Sequence, residues 1–285
     1  MLAVDADSTG PVLLFGARGW VGSALREALR GASVVVPTRQ EVDACDLGQV
    51  VEFVATVRPR AIVNLAACNP GQGDAERMEN INHHGARYVA AAAQAVGARL
   101  VLVSSDMVLD GEHAPYTENA PPVPINAYGE SKARGERATL ELAEDCVAVR
   151  TSLVWDPAVM DRSTADFARQ LTELPELVLF EDEIRMPIAR RCLAAALHEL
   201  LDHPYRGVLN VAGRQPLSRH GFGSRLLSWF DVPGRERVRP GTSASLGLNR
   251  PRDLTLDLTL AGEILSTPLL GVDEELAAAR SQETR

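Results

Sequence analysis

Residues 11–30 read PVLLFGARGWVGSALREALR, and this stretch decides the fold. Residues 11–15 are an apolar run of the length and type of a buried strand. Gly16, Gly19 and Gly22 follow at three-residue spacing, and residues 20–30 place Val21, Ala24, Leu25 and Leu29 on one helical face. Strand, glycines and helix in that order are what a dinucleotide fingerprint requires. The first glycine makes the turn, the second lets backbone approach a pyrophosphate, and the third lets helix and strand pack closely. The helix N–H groups then meet the phosphates. Arg18, Trp20 and Val21 share that turn and helix start, and join the glycines as cofactor-binding candidates.

Outward from this unit the pattern alternates. Strands are expected at 33–36, 61–64, 100–103 and 147–150, with a long Ala-rich helix within 74–96 and another at 128–142. Such a series implies an α/β fold with a Rossmann-like, doubly wound parallel sheet. After the second strand the chain reads Pro37, Thr38, Arg39, with no acid before Glu41. A NAD-binding chain carries a carboxylate near there, whereas an arginine pairs with a 2′-phosphate. NADP(H) is therefore favoured, with NAD(H) as the alternative; Arg39 also reads as an ordinary solvated residue. Asp46 and Leu47 open the next helix, where Asp46 serves either as an N-cap or against adenine. Leu65, Ala66 and Ala67, ending the third strand, are small enough to let a cofactor ribose pass.

The segment 104–136 carries the chemistry. Ser104, Ser105 and Asp106 end the fourth strand, and Tyr128 and Lys132 begin the helix beyond a Pro- and Gly-bearing loop. Residues four apart share a helix face. A free tyrosine titrates near 10, too high for acid–base work at neutral pH, and a neighbouring ammonium favours the phenolate. A hydroxyl at the strand end would hold a carbonyl oxygen against that phenol.

Beyond 155 the pattern loosens. Helices are expected at 165–174, 189–201 and 218–230, strands at 177–180 and 208–211, a loop at 233–241, and polar–apolar alternation at 254–260. Residues 11–155 are thus expected to form the NAD(P)-binding domain, with the strands near 177–180 and 207–211 returning to it. Residues 156–285 would make a smaller, mixed substrate-binding region. Residues 1–10 read as a loose leader.

The composition is that of a globular chain, 46% apolar and 24% charged over 285 residues. A net charge of −9 argues against a nucleic-acid surface. Cys45, Cys68, Cys146 and Cys192 lack metal-type spacing. His198 and His203 are five apart, not the four a helical zinc motif needs, and His83 and His84 would point to different sides of a helix. No catalytic metal is expected. Neither a leader of secretory type nor an apolar run of membrane-spanning length is present, so a cytoplasmic enzyme with no membrane contact is expected.

These residues resemble the extended short-chain dehydrogenase/reductase family and, within it, the dTDP-4-dehydrorhamnose reductases. The likeness rests on Ser104-Ser105-Asp106-Met107-Val108-Leu109-Asp110-Gly111, on Pro115-Tyr116-Thr117-Glu118, and on Tyr128-Gly129-Glu130-Ser131-Lys132 continued by Gly135-Glu136. Later landmarks are Arg150-Thr151-Ser152, Asp182-Glu183 with Arg185 and Pro187, and Arg250-Pro251 with Asp253 and Leu256. Met107 and Leu109 replace two aromatics of the pattern, and Ser105 replaces a threonine.

The resemblance implies NAD(P)H-dependent reduction of the 4-keto group of a dTDP-linked 6-deoxy sugar. Tyr128 would protonate the developing alkoxide, and Lys132 would lower its pKa and hold the nicotinamide ribose. Ser105 would bind the carbonyl oxygen, Asp106 would position sugar hydroxyls, and Asn82 would order the site. The partner would be a nucleotide sugar, held through its diphosphate by Arg150, Arg185 or Arg250, and the family's habit is a homodimer. Two alternatives stand beside this one. A sugar-nucleotide epimerase or dehydratase is disfavoured because dehydratases carry an Asp-Glu pair where this chain has Asp106-Met107. A non-catalytic dinucleotide-binding regulatory subunit has no need to keep Ser105, Tyr128 and Lys132 together.

Overall fold

The structure, a computed structural model, describes residues 10–283; the leader expected before Gly10 lies outside the described residues. In chain order the elements are β1 (Val12–Phe15), α1 (Trp20–Ala28), β2 (Val34–Val35), α2 (Leu47–Val57) and β3 (Ala61–Asn64). A continuous helical stretch follows, made of α3 (Ala75–Met78), a π-helical segment (Glu79–Gly85) and α4 (Ala86–Val96). Next come β4 (Arg99–Val103), α5 (Ala127–Leu142), β5 (Cys146–Arg150), β6 (Val154–Trp155), α6 (Arg162–Glu173), β7 (Leu177–Phe180), β8 (Ile184–Arg185) and β9 (Ile188–Ala189). The rest are α7 (Arg190–Leu200), β10 (Gly207–Asn210), β11 (Leu217–Ser218), α8 (Arg219–Trp229), β12 (Val238–Gly241), α9 (Thr259–Ile264) and α10 (Val272–Glu283).

The main sheet has six strands in the order β10-β5-β4-β3-β1-β2, all parallel. Its strands are covered on both faces, which is why they read as unbroken apolar runs. Val12 and Leu14 pack with Leu25, Leu193 and Leu197 of α1 and α7. Their neighbours Leu13 and Phe15 turn to the opposite face, against Val50 and Val54 of α2 and Val89 of α4. The strand order reverses direction at β1, between β2 and β3, and this switch point opens a crevice at the carboxyl ends of the strands.

Of the two strands expected to return to this sheet, β10 does so, beside β5. The other, β7, does not: it pairs with β12 in a separate two-stranded parallel ribbon. The reason lies in its alternation, with Leu177 and Leu179 buried among Leu171 and Leu227 while Val178 is exposed. That is a strand covered on one face only. Residues 238–241, expected as loop, form β12, where Pro240 is tolerated because the strand lies at an edge. The alternation at 254–260 does not give a strand; it yields isolated bridges of Leu256 to Tyr116 and Asp253 to Ile184, then α9. Two further small ribbons, β6 with β9 and β8 with β11, carry the polypeptide past the sheet's carboxyl edge.

Candidate active site

A cavity of about 1070 Å³ runs from the glycine turn after β1 to Arg250 in the C-terminal region. At its first end Gly16 has φ +74°, and a Cβ there would lie 2.6 Å from the Ala66 backbone nitrogen. A Cβ on Gly22 would come within 2.4 Å of the Ala17 Cα. Gly19 caps α1 without any side-chain acceptor for the first-turn N–H groups. Only glycine fits at positions 16 and 22, and donors at a helix start suit an anion, so the residues present fit a dinucleotide pyrophosphate.

Arg18, Trp20, Val21, Leu65, Ala66 and Ala67 line the same cavity. The Arg190 guanidinium stacks 4.2 Å above the Trp20 ring. Arg39 also lines it, joined by Asp43, an acid that lies beyond the usual position and that sequence reasoning missed. Arg39 Nη2 sits 3.2 Å from Asp43 Oδ2. Asp46 and Leu47 are not brought in. The Asp46 carboxylate is the N-cap of α2, accepting from the Gln49 backbone N–H at 3.0 Å, and Leu47 points to solvent.

Toward the middle of the cavity stand Ser105, Tyr128 and Lys132. Ser105 caps the short 3-10 turn Asp106–Val108, and its Oγ accepts from the Met107 N–H at 3.2 Å. Asn126 caps α5 by accepting from the Gly129 N–H at 2.9 Å, which fixes the helix start that carries Tyr128. Gly129 is needed there because a Cβ would meet the Met107 carbonyl oxygen at 2.2 Å. The Lys132 ammonium donates to the Val103 carbonyl at 2.7 Å, tying α5 to the end of β4.

Burial pushes the Tyr128 phenol up to about 12; the Ser105 hydrogen bond and the Arg185 charge oppose that, and Asp106 reinforces it. Burial likewise pushes the Lys132 ammonium down to about 8, against the pull of Glu136. The lowering of Tyr128 expected from Lys132 is not what the structure shows: the groups that lower it are Ser105 and Arg185, and burial outweighs them.

Asp106 is fully buried and does not line the cavity. Both its oxygens are held by Arg185, at 2.9 Å from Nε and 2.5 Å from Nη2. The role foreseen for Asp106, a direct contact with sugar hydroxyls, does not fit this placement. Arg150 is also withdrawn: its Nη2 lies 2.6 Å from Glu136, its Nη1 donates to the Ala120 carbonyl, and both side chains are buried.

At the far end, Arg219 and Arg250 line the cavity with Glu183. Arg219 Nη1 is buried without a hydrogen-bond partner, and burial lowers the guanidinium's pKa. No motif flags Arg219; it emerges only because β11 leads it into the wall.

Asn82 proves structural and central. It lies in the π-helical segment, accepts from the Cys68 N–H at 2.8 Å, and donates to the Cys68 carbonyl and the Ser131 Oγ, each at 3.0 Å. The π turn also overturns the expected divergence of His83 and His84, because its wider turn brings residues four and five apart to one side. Their rings stack with centroids 4.6 Å apart, and their nitrogens gather with Glu79. The Glu79 carboxylate is already engaged by His83 at 2.7 Å and Arg134 at 3.0 Å.

A family model described as RmlD substrate binding domain matches residues 10–283. The chain is 33% identical over 280 residues to a dTDP-4-keto-6-deoxy-D-glucose reductase of Streptomyces niveus, covering 90% of this chain and 92% of that one. It is 28% identical over 297 residues to methionine adenosyltransferase 2 subunit beta of Pongo abelii, covering 93% and 86%. The crystal structure of dTDP-4-dehydrorhamnose reductase from Bacillus anthracis str. Ames in complex with NADP matches with a TM-score of 0.85 at 26% identity, over 95% of this chain and 98% of that one.

Proposed function

The chain belongs to the RmlD substrate binding domain family, and from that premise we propose that it is an NADPH-dependent reductase of the 4-keto group of a dTDP-linked 6-deoxy sugar. The observation that carries this reading is that Ser105, Tyr128 and Lys132 face one cavity, continuous with the glycine cradle. Residues 11–155 with β10 would hold the cofactor, and the remainder of 156–285 the sugar nucleotide. A dinucleotide held by its pyrophosphate in the glycine cradle would supply the hydride from its reduced nicotinamide.

The chain's own groups do the rest. The Ser105 Oγ donates to the ketone oxygen and holds it against the Tyr128 phenol. Tyr128 then gives that oxygen its proton as the alkoxide forms, the general-acid step, worth about 10²–10⁴-fold in rate. Lys132, fixed by Val103, presents its ammonium to the nicotinamide ribose. Arg39 meets a 2′-phosphate once it leaves Asp43, which favours NADP(H) while leaving NAD(H) usable. Arg219, with its unpartnered Nη1, and Arg250 supply the positive charge for the diphosphate. A reaction drawing on NADPH and sugar nucleotides would suit the cytoplasm; among the described residues no helix is long and apolar enough to cross a membrane.

The test follows nicotinamide absorbance with purified protein, NADPH and dTDP-4-keto-6-deoxy-D-glucose. Turnover should fall by at least about 10²-fold in Tyr128→Phe while NADPH still binds. A Tyr128→Phe protein as active as the wild type would remove the assigned acid. A second reading, a dinucleotide-binding subunit of a larger assembly, draws support from the likeness to methionine adenosyltransferase 2 subunit beta. Tight NADPH binding without turnover of any keto-sugar nucleotide would favour it.

A further inference from the structure

Arg185 lines the cavity together with Ser105 and Tyr128; expected as one of three candidates for the diphosphate, it is held instead by Asp106, and the reductase reading above leaves the diphosphate to Arg219 and Arg250. Asp106 takes its Nε and Nη2, so one edge of the guanidinium is fully used. The remaining nitrogen, Nη1, has a thioether, Met107 Sδ, at 3.4 Å and the Glu183 carboxylate at 3.7 Å, beyond hydrogen-bonding distance. A thioether is a weak acceptor. An arginine whose role was only to join β8 to the end of β4 would be expected to engage all three nitrogens with protein oxygens, as Arg150 does. Instead one nitrogen has only a thioether hydrogen bond and a long ion pair, in a wall shared with Ser105 and Tyr128. The β8–β11 ribbon and the Asp106 bridge hold it there, so the group is positioned in advance.

We propose that Arg185 is a further catalytic residue, whose Nη1 donates to the oxygen of the bound sugar on which negative charge develops and then faces the phenolate left at Tyr128. This rests on the reductase reading above. In the step itself the carbonyl carbon gains hydride from the reduced nicotinamide, which is oxidised. The carbonyl π pair becomes a lone pair on oxygen, and that oxygen takes the Tyr128 proton. Tyr128 regains a proton from water after product leaves. Negative charge therefore moves from sugar oxygen to phenol oxygen, and a fixed cation serves both positions. Preorganised donors at such a place are worth about 10²–10³ in kcat.

Tyr128 is faced by Cys68 from the loop after β3, Asp106 from the turn after β4, and Arg185 from β8. Lys132 shares its helix, and Glu183 and Arg250 stand behind Arg185. Reduction needs the protonated phenol, so activity falls as pH rises through the Tyr128 pKa. Arg185 favours phenolate, so its loss moves that alkaline limb to higher pH.

The experiment compares wild type, Arg185→Lys, Arg185→Met and the double variant Asp106→Asn/Arg185→Met. The double variant removes the ion pair as a unit and guards against misfolding around an orphaned carboxylate. NADPH affinity by fluorescence and the ¹³C ring resonance of Tyr128 are read beside kcat across the neutral-to-alkaline range. Expected are NADPH affinities within about twofold of wild type and a kcat loss of about 10²-fold in Arg185→Met. The lysine variant should recover part of it. The alkaline limb and the Tyr128 resonance should both shift upward in Arg185→Met. Both should return toward wild type in the double variant, whose opposed charges leave together, while kcat stays low. A folded double variant with wild-type kcat overturns the proposal alone. A wild type that binds NADPH and reduces no keto-sugar nucleotide overturns it together with the reductase reading.

Discussion

At the scale of single residues, the active site holds a charge at the expense of stability. Lys132 is almost fully buried, and burial has lowered its pKa from 10.5 to about 8. Below the folded value the lysine is protonated whether the chain is folded or not, and the penalty is constant, about 3 kcal/mol. Between the folded and unfolded values the unfolded chain binds more protons, so stability rises with pH. Above the unfolded value the penalty is gone. Lys132→Met should therefore be more stable than wild type at neutral pH by about 1–3 kcal/mol, after the lost Val103 hydrogen bond is subtracted. Urea unfolding at neutral and at alkaline pH measures this, and the advantage should shrink as pH climbs. A variant less stable at neutral pH would mean that the Val103 bond outweighs burial. Sequence reasoning reached Ser105, Tyr128 and Lys132 because a hydroxyl at a strand end, a Tyr and Lys four apart on a helix and an upstream glycine fingerprint occur in one order, and because that order resembles a known family. It failed at Asp106, because a carboxylate beside a candidate catalytic serine reads as a ligand until its arginine partner, 79 residues away, is seen.

At the scale of elements, the π-helical segment Glu79–Gly85 is where local pattern and tertiary demand diverge. Residues 74–96 read as one Ala-rich helix, and nothing in that periodicity announces a wider turn. The turn delivers Asn82 to the loop after β3, while Gly135 of α5 lets the two helices approach. A Cβ on Gly135 would lie 2.0 Å from the Asn82 carbonyl oxygen. Asn82 thereby holds the segment that follows Leu65, Ala66 and Ala67, and also Ser131, which neighbours Lys132. Asn82→Ala strands the Cys68 N–H and carbonyl in a dry interior, at a cost of about 1–3 kcal/mol. A drop in urea midpoint should accompany weaker NADPH binding, measured by fluorescence; a midpoint unchanged from wild type would show that water replaces the amide. The main-sheet strands were legible because burial on both faces leaves continuous apolar runs. The small ribbons were not, since β6, β8, β9 and β11 are two residues each and carry no period to read.

At the scale of the whole molecule, the two parts proposed to hold cofactor and sugar nucleotide share one sheet. β10 lies beside β5 in that sheet but comes after the segments 151–206, which contribute β8 and part of the cavity wall. Arg99 reinforces the join from the start of β4, donating to the Leu200 carbonyl at 2.6 Å and the Tyr205 carbonyl at 2.9 Å. A fragment of residues 10–155 would therefore leave β5, all five of whose residues are buried, as an open sheet edge. It should appear in the aggregated fraction on size-exclusion chromatography, whereas the full chain should elute as a defined species. A monodisperse fragment that binds NADPH would show that the cofactor half is autonomous. The strands of residues 12–150 were foreseen from sequence because each βαβ unit is local, and the return of β10 was legible as an apolar run; the divergence of β7 was not, since Leu177-Val178-Leu179-Phe180 is as apolar as a main-sheet strand and only its burial alternates.

The same connectivity has a consequence during synthesis. A chain leaving the ribosome presents β5 well before β10 exists, since residues 151–206 must still be translated. At about 5–20 residues per second the interval is roughly three to ten seconds, far longer than helix or hairpin formation. Throughout it the nascent sheet offers its edge to any neighbouring strand, so the demand of this protein on chaperones should centre on that interval. Slower translation between the emergence of β5 and that of β10 would lengthen the exposure.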